Sequence, residues 1–132
     1  MKALQCVELG MPDKLQVNEI SDPEVLPGHV LIDNKAASVN FPDVLMIQGL
    51  YQFQPELPFS PGGESAGIVS SVGEGVDLHS VGDSVAFFKG FGAFAEKIVL
   101  PAHMAFQIPE NFPHHIAAVS YTHLTQPTKR IV

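Results

Sequence analysis

Glycine and proline interrupt this chain so often that short strands and loops are favoured over a helix bundle. There are 11 of each among 132 residues, about 17% of the chain against a usual ~12%. Between the interruptions, apolar and polar residues alternate. Lys2 to Leu9 and Lys14 to Ile20 read as two strands about a turn at Gly10-Met11-Pro12-Asp13. His29 to Val39 is the longest strand candidate, bounded by the Pro27-Gly28 turn and Asn40. Glu64 to Val72, Ser84 to Phe88, Phe94 to Leu100 and Ala105 to Ile108 follow. About seven short strands at turn-rich spacing predict a β-barrel or sandwich.

Two helical segments break the pattern. Asn40-Phe41-Pro42-Asp43 has a cap residue, a first-turn proline and an acid three residues after the cap. A short helix is predicted from there to Gln48, with Gly49 as its stop. Pro113 to Val119 predicts the first turns of a second helix.

The charge balance narrows the partners. Lys and Arg number 7, Asp and Glu 14, for a net −7. Nucleic acid and anionic membranes need clustered cations and are argued against. No stretch approaches the ~18 apolar residues of a membrane span, and the first ten residues lack a secretory apolar run. A cytoplasmic chain is expected, with an organelle left open. Cys6 stands alone, which excludes an internal disulfide and a cysteine-rich zinc site.

The chemistry-bearing motifs are few. Gly90-Phe91-Gly92-Ala93-Phe94-Ala95 has the form G-x-G-x-x-A, but a strand-like run follows it where a dinucleotide site needs a helix. It reads as a glycine turn. The six histidines show no metal-binding spacing, and no nucleophile elbow is present. In Pro61-Gly62-Gly63-Glu64-Ser65-Ala66-Gly67, Gly67 within a strand predicts a bulge or tight packing. Glu64 is the one charge at the start of that apolar strand. Asn40, Asp43 and Tyr51 are the remaining polar candidates. They read either as cleft residues or as an N-cap, its N3 partner and a tyrosine at the core edge.

Taken together, these segments resemble a family. Ala37 to Asp43, Gly49-Leu50-Tyr51, Pro58 to Gly67, Val72 to Val76, Val81 to Val85 and Gly92 to Glu96 occur in its order. The chain resembles, from Met1 to Val119, the N-terminal part of a medium-chain dehydrogenase/reductase of the zinc-independent, NADPH-dependent quinone oxidoreductase branch. The resemblance implies a mainly β fold, a GroES-like, partly open barrel with short helices, truncated before a Rossmann cofactor domain. It implies hydride transfer from NADPH to a small-molecule acceptor, a quinone or similar electron-poor compound.

Zinc-dependent members carry Cys and His where this chain has Asn40 and Gly63, so no catalytic zinc is expected. The resemblance implies Asn40 and Asp43 as catalytic residues and Asn40 and Tyr51 as cofactor-binding ones, although capping accounts for Asp43 equally well. Whole relatives are expected to be homodimers or homotetramers. Residues 120–132 leave the family pattern. They are expected to form a disordered or artefactual tail, and the piece is expected to be inactive alone. A non-catalytic binding or structural module and a zinc-free enoyl reductase are the alternatives. A ring-forming co-chaperonin is disfavoured by Asn40, Tyr51 and Pro61 to Glu64.

Overall fold

The computed structural model describes residues 1–119; the expected tail at 120–132 lies outside the described residues. The chain runs β1 (Lys2–Gln5), β2 (Gln16–Glu19), β3 (His29–Ser38), α1 (Phe41–Ile47), β4 (Glu64–Val72), β5 (Ser84–Phe88), β6 (Lys97–Pro101), β7 (Ala105–Gln107) and α2 (His114–Ala117). β1 and β2 form an antiparallel ribbon. The other five strands form one antiparallel sheet in the order β6-β3-β4-β5-β7. The sheets do not close on themselves, so this mainly β architecture is the expected partly open one.

Alternation explains β3, where Val30 and Ile32 are fully buried and their neighbours are not. Both belong to a core with Val69, Val85, Phe87, Ile98 and Leu100. β4 and β5 instead bury several consecutive residues. Their opposite face is covered as well, where Ala66 and Ala86 meet Ala117 and Ala118 at the end of the chain's second helix. Gly67 sits where the β3–β4 register shifts, between Asn34 and Ala36. A Cβ there would run into the Asp33 carbonyl, so two backbones approach as only glycine allows.

Three predicted strands lose two or more residues at one end. β1 ends at Gln5 because Cys6 turns to bridge Phe59. β2 starts at Gln16 because Pro12–Lys14 forms a 3-10 turn, which a leading proline favours. β6 starts at Lys97 because the backbone of Phe94 to Glu96 bonds instead to the first strand, with Leu4 N–H donating to the Phe94 carbonyl at 2.8 Å. Pro101 is the last residue of β6 rather than its terminator. That is tolerable because β6 lies at the sheet edge.

Candidate functional site

The site grows from the start of α1. Asn40 has an extended backbone (φ −128°, ψ 165°) and ends the run out of β3. Its N–H donates to Asp43 Oδ2 at 2.8 Å, the back-bond of a capping box. The helix stops at Gly49, whose φ of +74° strains any other residue. Met46 and Ile47 anchor its inner face against Cys6 and Phe59. These contacts seat the C-terminal turn of α1.

Glu64 is the first residue of β4, paired across the ladder with Ser38 and with Phe88. It is only 1% exposed. Its Oε2 accepts hydrogen bonds from Asn40 Nδ2 and from Ser38 Oγ, each at 2.8 Å. Asn40 Nδ2 also lies 3.2 Å from Ser38 Oγ, to which it donates. A buried carboxylate needs such donors, and charge-assisted bonds are the strong kind. They set the amide so that its nitrogen faces the protein interior.

Asp43 is buried beside this group. Burial pushes its carboxyl above the usual carboxylate range, and the nearby Glu64 charge adds to that. The Asn40 backbone N–H, which bonds to it, pulls the other way, as does the Gly62 N–H.

A cavity of about 230 Å³ opens over these residues. Asn40, Asp43, Tyr51, Gly63, Phe88 and Gly90 are among its lining. Tyr51 is half-buried and packs on the Met46–Phe59 cluster. The structure thus brings Asn40, Asp43 and Tyr51 to one cavity, with the Asp43 carboxylate bonded back to the helix start. Sequence reasoning did not give Glu64 a place in the site. Its only signal was a lone charge opening an apolar strand.

The described residues do not suit a whole dinucleotide. The cavity is smaller than the ~300 Å³ or more usual for ligand pockets. The glycine segment pairs by backbone with its neighbour, Gly92 N–H donating to the Ser60 carbonyl at 2.7 Å, and leads into β6. It therefore opens no helix that could hold a pyrophosphate. Among the described residues no group of three or more His, Cys, Asp or Glu is placed to hold a metal ion. No helix among them is long and apolar enough to cross a membrane.

The alcohol dehydrogenase GroES-like domain family matches residues 26–110. The chain belongs to this family. The chain is 38% identical over 105 residues to the human synaptic vesicle membrane protein VAT-1 homolog, covering 80% of this chain and 27% of that protein. It is 37% identical over 118 residues to mouse quinone oxidoreductase-like protein 2, covering 89% of this chain and 33% of that one. In structure it superposes on Escherichia coli quinone oxidoreductase, solved in complex with NADPH, with a TM-score of 0.86 at 30% identity. That match covers 96% of this chain and 41% of the other. The chain thus spans about a third or less of the length of these two curated relatives. The relatives place it with the medium-chain oxidoreductases, and the expected GroES-like fold holds.

Proposed function

We propose that this GroES-like domain is the acceptor side of an oxidoreductase that transfers hydride from NADPH to a quinone or similar electron-poor compound. The observation that carries the reading is the convergence of Asn40 and Tyr51 on one small cavity, with the Asn40 amide held by Glu64 and Ser38. A held amide loses little freedom on meeting a ligand, which is what preorganisation means for a binding group. The likeness to an NADPH-complexed quinone oxidoreductase supports the choice of cofactor.

Bound NADPH would supply the hydride. This chain's own residues would orient and enclose. Asn40 presents a fixed amide edge to the cavity, and Tyr51 offers a phenol that can donate or accept. Gly63 and Gly90 leave the wall without side chains where a flat ring would lie. Asp43 acts on the site by holding the first turn of α1 in place. Asn40 and Gly63 supply neither thiolate nor imidazole at the positions of the family's zinc ligands, so the chemistry proposed is metal-free.

The test is a graft of residues 1–119 in place of the matching domain of E. coli quinone oxidoreductase. Oxidation of NADPH by 1,4-benzoquinone is then followed. Turnover is expected, reduced about tenfold or more by Asn40→Ala, in line with loss of one positioning group. A folded chimera that binds NADPH without turning over, or one indifferent to Asn40→Ala, would refute the reading.

A further inference from the structure

A second and larger cavity, of about 780 Å³, lies on the other side of the Phe88–Gly90 segment. Phe88 and Gly90 line the Asn40 cavity, whereas Lys89 between them lines this one. One short segment at the end of β5 thus serves two cavities.

Three phenylalanines, Phe53, Phe59 and Phe91, stand together in its wall. The Phe53 and Phe91 rings lie 5.7 Å apart, and Phe59 meets Phe91 edge-on at 6.4 Å. Lys89 Nζ stands 5.9 Å from the centre of the Phe91 ring. It donates one hydrogen bond, to the Val99 carbonyl at 3.1 Å.

The charges around the cavity are unequal in their pairing. The Met1 amino group lies 3.0 Å from Asp22 and 3.5 Å from Glu19. Lys97 Nζ is in ion-pair contact with Asp33 at 3.2 Å, without hydrogen-bond alignment. Glu56 is the one carboxylate among the lining residues. Lys89 alone of these cations has no carboxylate in salt-bridge reach among the described residues. Burial pushes its ammonium below the usual lysine range. In a chain of net charge −7, a cation kept half-buried without a counter-ion is unusual. An anion placed beside it would offset that desolvation.

We propose that this cavity binds a planar aromatic carboxylate, its carboxylate on Lys89 Nζ and its ring against Phe91 and Phe53. A volume of about 780 Å³ is within the usual range for small-molecule sites. One unpaired cation suits one negative charge, and Glu56 in the lining disfavours a polyanion. This inference is independent of the hydride-transfer reading.

The experiment titrates 2-naphthoate, and the uncharged 2-naphthamide as control, into the 132-residue chain by calorimetry. Naphthoate should bind about tenfold or more tightly than naphthamide, the range of a charge-assisted contact. Lys89→Met keeps the aliphatic stem and removes the charge. It should lower naphthoate affinity to that of naphthamide and leave naphthamide unchanged. Phe91→Ala should weaken both. A second measurement needs no variant: the carbon-13 signal of the Lys89 ε-methylene should move with naphthoate and stay with naphthamide. Equal affinities for the two probes, an unaffected Lys89→Met, an unmoved Lys89 signal, or no naphthoate binding at millimolar concentration would overturn the proposal.

Discussion

Asn40→Asp probes the contact on which the candidate site rests. The change is nearly isosteric, but it replaces Nδ2 by an oxygen about 2.8 Å from Glu64 Oε2. At an effective dielectric of ~20, two unit charges that close repel by about 6 kcal/mol. The folded chain can escape by keeping one proton on the pair. An ordinary carboxyl has a pKa of about 4, so holding that proton at pH ~8 costs about 5 kcal/mol. The two routes agree, and either consumes much of a typical stability of ~5–15 kcal/mol. At pH ~5 the proton costs only about 1.4 kcal/mol. The folded pair thus binds a proton more tightly than the unfolded chain does. Stability is retained at low pH and lost as pH rises. Urea unfolding followed by far-ultraviolet circular dichroism should show the gap to wild type widening by about 4 kcal/mol between pH ~5 and ~8. Asn40→Ala removes the donor without adding charge, so its gap should not widen in this way. If the Asn40→Asp gap differed by less than about 1 kcal/mol between the two pH values, the amide nitrogen would not face Glu64 and the reasoning would fail.

Gly67→Ala sets a methyl 2.9 Å from the Asp33 carbonyl carbon and 3.0 Å from Asn34 Cα. Backbone cannot rotate away, so a loss of about 2–3 kcal/mol in urea unfolding is expected, and an unchanged midpoint would contradict the close approach. Burial raises the Asp43 carboxyl, so its contribution is full below the ordinary carboxylate pKa and is lost as pH rises through the folded value. Asp43→Asn can still accept the Asn40 N–H bond, and its thermal midpoint should gain on wild type from acid to neutral pH; a widening deficit would count against this. Elemental analysis of the dialysed chain should find zinc near zero, and one zinc per chain would contradict the metal-free site.

Much of the frame was legible from local pattern. Glu64 to Val72 has the limits read from its glycine and polar borders. The Asn40-Phe41-Pro42-Asp43 start of α1 was legible because capping chemistry is confined to four residues. The closeness at Gly67 was foreseen as a bulge or tight packing, although its contact, the Asp33 backbone, was not. The ends of β1 and β6 were misjudged for one reason: alternation continues past the point where the backbone changes partner.

The candidate site divides along the same line. Residue type and spacing offered Asn40, Asp43 and Tyr51 as candidates but left a cap and a cleft open, and only the family resemblance favoured the cleft for Asn40 and Tyr51. Glu64 lies 24 residues beyond Asn40, and no spacing rule joins a carboxylate to an amide across a helix and a loop of that combined length. Their meeting depends on two packing events, Met46 and Ile47 seating α1 and Ser38 pairing with Glu64 across β3 and β4. The assignment of Lys89 to one cavity and of Phe88 and Gly90 to another is likewise a property of the folded sheet. Hydrophobic alternation and turn chemistry act between near neighbours, so they can be read along the chain. Desolvation and hydrogen-bond closure act between groups that only the tertiary fold brings together.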